Sequence, residues 1–300
     1  MLDRFLSTLS VVSRVPVKWR FKFDSSRMDF YLPLAGICAA LPGFLIFTGV
    51  SLWFDFSQTA PARAAPARAA LARAAPAGIS ALTAAVILLV QYLGFNLFHL
   101  DGLMDTADAF LGGAERKKRL AILKDSRTGV YGFFAGFTVL SFKGILLCTL
   151  LPLARGFPAL VFAWPLWGRF SAALVPCMAK PLHPGGLGAL TKDARLHRCV
   201  GGAALALILW ALLVWGLLNA AALTGSLPFI PQCAGSAPPP VLIAAAASPF
   251  GISALAALYY ARLYQRTLGG YTGDALGAAV ETSELLCMAA VLAALYAGQA

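Results

Sequence analysis

The sequence predicts an all-α, polytopic membrane helical bundle of about seven transmembrane helices, preceded by an interfacial N-terminal helix. Three observations carry that prediction. Hydrophobic residues make up 59% of the chain and charged residues only 12%, with a mean hydropathy of +0.76. A soluble domain carries about twice that charge. Several apolar runs reach the length of about 20 residues that a helix needs to cross a hydrocarbon core. Finally, Lys and Arg are unevenly shared between alternate loops. Eighteen of the 24 fall in the N-terminus and the 101–129, 180–199 and 262–274 loops. The intervening loops hold Arg63, Arg68, Arg73 and Arg155. By the positive-inside rule this fits seven spans with the N-terminus cytoplasmic.

Residues 1–30 alternate apolar positions (Phe5, Leu6, Leu9, Val11, Val12) with Arg14, Lys18, Arg20, Lys22 and Arg27. That pattern reads as an amphipathic segment facing anionic lipid headgroups, and not as a cleavable signal peptide. The first span is expected over 32–54. A Pro/Ala/Arg insertion at 57–78 follows, with a five-residue repeat from Pro61 to Pro76 that reads as a linker or short exposed helix. Further spans are expected at about 79–100, 130–153, 157–178, 200–223, 241–260 and 275–297, the whole chain forming one integral-membrane domain. The net charge of +11 is spread over loops, so no nucleic-acid partner is expected. The six cysteines (Cys38, Cys148, Cys177, Cys199, Cys233, Cys287) show no CxxC pairing and read as small buried hydrophobes.

The end of the second span carries the chemistry. Asp101, Asp105 and Asp108 are three of the chain's thirteen acids within eight positions. On a helix, Asp105 stands roughly 40° from Asp101, and Asp108 roughly 20° to its other side. Such a stripe repels itself unless a cation compensates it. Magnesium suits it, as a hard ion held by one or two carboxylates and completed by phosphate oxygens and water. Asp could also simply favour a helix start, but three on one stripe at a membrane edge ask for more. The charge count puts these acids, Asp125 and Asp274 on one side of the membrane.

Other polar residues need a reason. Glu281, Glu284, Lys143 and Arg169 lie inside spans, where charge is costly and faces a cavity or a partner. Lys143 and Arg169 are read either as phosphate ligands or as internal salt-bridge partners of the acids. Gly270 and Gly273 sit where a loop enters a helix, so their amides could receive a phosphate, or the glycines could serve tight packing. Arg127 offers a bidentate phosphate contact, or neutralises Asp125. His99 is a candidate base or an interfacial histidine.

Together, His99-Leu-Asp-Gly-Leu-Met-Asp-Thr-Ala-Asp108, Lys124-Asp-Ser-Arg-Thr-Gly129 and Leu268-Gly-Gly-Tyr-Thr-Gly-Asp-Ala-Leu-Gly-Ala278 resemble the cobalamin synthase family, adenosylcobinamide-GDP ribazoletransferases. Ser13-Arg-Val-Pro16 and Leu32-Pro-Leu-Ala-Gly36 resemble it too, and the likeness covers nearly the whole chain. Only the 61–76 repeat departs. The resemblance implies that alpha-ribazole, or its 5′-phosphate, attacks the cobinamide-side phosphorus of adenosylcobinamide-GDP with magnesium present, releasing GMP. It places the enzyme in a bacterial cytoplasmic (inner) membrane with its site facing the cytoplasm. Within that frame, Asp101, Asp105 and Asp108 are expected to hold the metal, and Asp108, Asp125 or His99 to act in catalysis. Arg127, Lys143, Arg169, Gly270, Gly273, Asp274 and Glu281 are expected to bind substrate. Membrane lipid is a partner, and a homo-oligomer is allowed. The rivals are a CDP-alcohol phosphotransferase, disfavoured because no Ala-Arg follows Asp101-Gly102, and a cation-coupled transporter, disfavoured by the lack of an internal repeat.

Overall fold

The computed structural model describes residues 1–17, 20–59, 66–112, 115–223 and 239–297, and for 54–59, 66–77, 221–223 and 239 the backbone alone. Lys18, Cys233, residues 61–65 of the repeat and 224–238 of the charge-free linker lie outside the described residues. The helices are α1 Leu2–Val12, α2 Met28–Thr59, α3 Pro66–Gln91, α4 Leu97–Leu111, α5 Arg116–Ile122, α6 Val130–Ala154, α7 Pro158–Val161, α8 Trp164–Leu174, α9 Leu196–Leu223, α10 Pro239–Leu268 and α11 Gly273–Ala297. A π-helical turn, Tyr92–Asn96, joins α3 to α4. The later part of the Pro/Ala/Arg repeat is the start of α3 rather than a linker, as its Ala and Arg content favours.

Six helical stretches are long and apolar enough to cross a membrane: Met28–Trp53, Gly78–Leu111, Val130–Ala154, Leu196–Ala220, Pro240–Leu268 and Gly273–Ala297. Their outer faces expose Leu89, Phe133, Phe137, Phe142, Ile145, Leu212, Trp215, Ile243 and Leu255. An apolar belt of that extent belongs in lipid, where helices satisfy their own backbone groups.

The expected span at 157–178 is different. It breaks into α7, α8 and a 3-10 turn, Val175–Cys177, with a proline in the first turn of each piece. Proline lacks the N–H that would continue a helix but fits its first turn, so Pro158, Pro165 and Pro176 each start a new short segment. At eleven residues α8 is about 16 Å long, too short to span a membrane alone. All eleven of its residues are buried, and it packs against α2, α9, α10 and α11. The broken leg still returns the chain to the end it left. The start of α6 lies on α4, where the Gly129 amide donates to Asp108, and just past the leg Lys180 and Leu182 exchange backbone hydrogen bonds with Tyr271, three residues before Asp274.

Close approaches fix the centre. A Cβ at Gly36 of α2 would stand 2.6 Å from the Leu166 Cα of α8, and one at Gly102 of α4 would stand 2.9 Å from the Asp274 Cα of α11. The N-terminal segment is not only interfacial: α1 docks on α2, burying Leu9 and Val12, with Phe5 edge-on to Tyr31 at 6.5 Å.

Candidate active site

One end of the bundle gathers the acidic face. Asp101 is exposed, Asp105 half-buried, and Asp274 half-buried on α11 beside Gly102. The three lie close enough to feel one another's charge. Two contacts hold this geometry. Thr106 Oγ1 bonds the Gly102 carbonyl (2.6 Å) and the Tyr264 hydroxyl of α10 (2.7 Å). Asp274 is steadied by the Thr272 hydroxyl at 2.9 Å.

Asp108, whose charge also reaches Asp105, is engaged on another helix as well. Its two oxygens accept the amides of Gly129 (2.7 Å) and Gly132 (2.8 Å). The first N–H groups of a helix have no partner within it, and a carboxylate there also meets the positive end of the dipole. Asp108 therefore caps α6 from α4. Side chains at Gly129 or Gly132 would collide with it, which explains both glycines.

Asp125 and Arg127 neutralise each other. Arg127 donates to both oxygens, at 3.0 and 2.6 Å, from an 86% exposed side chain. Hydrogen bonds from Arg127 lower the Asp125 pKa to about 2, which makes it a weak proton acceptor at neutral pH.

Lys143, Arg169, Glu281 and Glu284 form a separate, closed network. Lys143 Nζ donates to Glu281 (2.7 Å) and Glu284 (2.6 Å), and Arg169 pairs with Glu284 and donates to the Asn96 side-chain oxygen (2.8 Å). Tyr92 donates to Glu281 (2.6 Å) and Asn96 to both glutamates (2.8 and 2.7 Å). Each charged side chain is 0 or 1% exposed. Glu281 lies seven residues beyond Asp274, about 10 Å along the helix. Lys143, Arg169 and Glu281, expected to bind substrate, are engaged in salt bridges and closed to solvent in the structure, the arrangement of the salt-bridge alternative. Tyr92 and Asn96 went unforeseen; their signal was polar side chains in an apolar run, and the π turn aims both at the glutamates.

His99 also stands apart. It is 3% exposed, neither ring nitrogen has a hydrogen-bond partner among the described residues, and it borders a small cavity of about 30 Å³ among Val11, Val12, Met28, Leu32 and Leu276. Two residues before Asp101, it faces roughly 200° away from the acidic stripe. The glycine turn is closely packed at Gly270. Gly269 has φ +86°, and a Cβ at Gly270 would stand 2.8 Å from the Leu182 Cα. Tyr271 exchanges backbone hydrogen bonds with the 180s loop, from Leu182 N (2.8 Å) and to Lys180 O (2.9 Å). Gly273 opens α11 beside Leu187 and Gly188.

A metal fits only one part of this arrangement. Among the described residues no group of three or more His, Cys, Asp or Glu side chains converges to hold an ion by protein donors alone. Asp101, Asp105 and Asp274 are exposed or half-buried, and no cation among the described residues pairs with them. That suits magnesium, which keeps water and takes substrate phosphate oxygens, and not a closed structural zinc site.

These features define an integral-membrane protein with an uncompensated carboxylate site at one end of a helical bundle. The family model described as Cobalamin-5-phosphate synthase matches residues 4–292. Adenosylcobinamide-GDP ribazoletransferases of Citrobacter koseri and Escherichia coli K12 are 30% and 28% identical, over 97% of this chain and the full length of theirs. That of Leptothrix cholodnii is 35% identical over 66% of this chain and 68% of its own. No solved structure matches. The chain belongs to the cobalamin-5-phosphate synthase family.

Proposed function

We propose that this chain transfers the adenosylcobinamide phosphate moiety from adenosylcobinamide-GDP to alpha-ribazole or its 5′-phosphate, releasing GMP in nucleotide-loop assembly. The observation that carries the reading is the family match from residue 4 to 292, nearly end to end. The ribose hydroxyl oxygen forms a bond to the cobinamide-side phosphorus, and the bond from that phosphorus to the bridging oxygen breaks. GMP leaves with the bonding electron pair, and the hydroxyl proton passes to a carboxylate.

Asp101 and Asp105 would hold magnesium, which when bound neutralises diphosphate charge and stabilises the charge gathering on GMP. Asp274 takes the hydroxyl proton: it faces the same end from another helix, with the Thr272 hydroxyl fixing one oxygen. Thr106 and Tyr264 hold α4 in register so that the carboxylates stay together. Asp108, Asp125 and His99, once candidates for catalysis, receive no proton in this scheme. The Lys and Arg distribution supports a cytoplasmic position for this end.

The test uses purified, detergent-solubilised protein with adenosylcobinamide-GDP, alpha-ribazole and magnesium, following GMP and corrinoid product. Magnesium-dependent product that vanishes in Asp105→Ala supports the reading. Absence of product from a folded sample, with either ribazole form, would overturn it in favour of a CDP-alcohol phosphotransferase.

A further inference from the structure

Two sulfurs meet where the broken leg ends. Cys177 closes the 3-10 turn Val175–Cys177, and Cys199 lies in the first turn of α9. Their Sγ atoms stand 3.6 Å apart, against about 2.05 Å in a disulfide, so a closure of about 1.5 Å would bond them. Among the described cysteines this is the one pair whose sulfurs are in contact. The two thiols are not equivalent. Cys199 is buried, and its S–H donates to the Ala173 carbonyl at 3.2 Å. Cys177 is half-buried and approaches the same carbonyl only to 3.9 Å.

Cys177 can also be reached from outside. It lines an open hollow of about 490 Å³ together with Met178, Lys180, Pro181, Lys192 and Gln265. Reactive cysteines are partly exposed and have cations near them, because the thiolate is the nucleophile, whereas buried ones are inert. Cys177 meets those conditions and Cys199 does not. The turn that carries Cys177 leads directly into the strap ahead of α11. The Lys180 amide donates to the Gln265 side chain of α10 at 3.1 Å, and the Lys180 carbonyl accepts the Tyr271 amide at 2.9 Å. Leu182 N donates to the Tyr271 carbonyl at 2.8 Å, three residues before Asp274.

We infer that Cys177 and Cys199 are a site of reversible oxidation by small-molecule disulfides, and that the bond they form slows turnover. The Cys177 thiolate attacks one sulfur of the small disulfide, forms a mixed disulfide and expels one thiolate. Cys199 then attacks Cys177 Sγ and expels the second. Each expelled thiolate takes up the proton its attacker gave up, so two protein thiols and one small disulfide become one protein disulfide and two small thiols. In a reducing compartment the pair rests as thiols, and such a bond is transient and sensing rather than structural. Drawing Cys177 onto α9 pulls on the strap that seats Asp274. That effect on rate rests on the reaction proposed above, while the disulfide itself does not.

The test treats the full-length, detergent-solubilised protein with oxidised glutathione, maps its peptides by mass spectrometry without reduction, and follows GMP release. The expected result is a Cys177–Cys199 cross-linked peptide and a kcat lowered roughly tenfold, both restored by dithiothreitol. Cys177→Ser should keep the untreated rate and lose the response to oxidant. Cys199→Ser should stop at the mixed disulfide, with glutathione on Cys177. Free thiols at both positions after treatment overturn the site. Glutathione found on Cys199 in Cys177→Ser overturns the order of attack. A disulfide with unchanged kcat, or a loss of rate that persists in Cys177→Ser, overturns the coupling to turnover. If wild type makes no GMP before treatment, the proposed reaction has failed, and the peptide map still decides the oxidation site.

Discussion

Two charged clusters about 10 Å apart along α11 use the same kinds of side chain to opposite ends. Around Glu281 and Glu284 two acids meet two bases, every charged group is closed to solvent, and Tyr92 and Asn96 fill the remaining hydrogen-bond positions. Around Asp101, Asp105 and Asp274 the charge has one sign and one member is exposed. The first cluster is complete without a ligand. The second sets like charges side by side, with no cation paired to them among the described residues. Charge inside a membrane protein is therefore not by itself a mark of chemistry; what matters is whether the fold has already compensated it.

The largest effect expected from this contrast is on turnover. Asp101→Ala should lower kcat by about 10³-fold or more, with the melting temperature held or raised because like-charge repulsion is relieved. Single-turnover GMP release and a thermal melt check both halves. Next comes stability. Glu284→Ala leaves Arg169 without a carboxylate in the interior and Lys143 with Glu281 alone, which should cost about 3–5 kcal/mol and sharply lower the folded yield. The protein that does fold should keep a near-normal kcat. If Glu284→Ala instead removed turnover at full stability, the two clusters would have to be merged into one site. The comparison is sharpened by Lys143→Met combined with Glu281→Gln. Removing one charge of each sign should destabilise by less than the sum of the single changes, as a coupled pair requires.

Most of the fold was legible because it rests on hydrophobic runs, which periodicity and length report directly. The broken leg was not legible as a break, although its three prolines were in view: Pro158, Pro165 and Pro176 sit in an apolar stretch of span length, and hydropathy averages over them. Among the site residues, helical spacing set Asp101, Asp105 and Asp108 on one stripe, and the charges of Asp101 and Asp108 both reach Asp105. It did not report that the last member of the stripe also meets the start of α6. Only the placement of Gly129 and Gly132 decides that, and spacing along α4 carries no such information. Lys143 and Arg169 had been left between phosphate and salt bridge, since nothing along the chain reports how deep each helix lies against its neighbour.

Asp108 accordingly divides the effects. Asp108→Ala removes the cap of α6 and should cost about 1–2 kcal/mol of stability. Because α6 and α4 are joined there, kcat should fall modestly, by far less than in Asp101→Ala. Asp108→Asn keeps an acceptor oxygen and should recover part of the stability, measured by thermal denaturation in detergent. A magnesium requirement that shifted strongly in Asp108→Asn would return this residue to the metal site.

The smallest effect belongs to Asp125. Its pKa is lowered from 3.8 to about 2 by Arg127, so the pair's contribution is fully present above about pH 4 and is lost as pH falls toward 2. At neutral pH the carboxylate is ionised in folded and unfolded chains alike, and the linkage predicts no slope there. With Arg127 almost fully exposed, salt screens the pair as well. Asp125→Asn should therefore leave the pH–rate profile between about pH 6 and 9 unchanged in shape. A base required for turnover would instead remove the profile's acidic limb on replacement. Loss of that limb in Asp125→Asn would restore the reading that places the proton on the 124–129 loop, and would move Asp274 from proton acceptor to a third ligand for the cation.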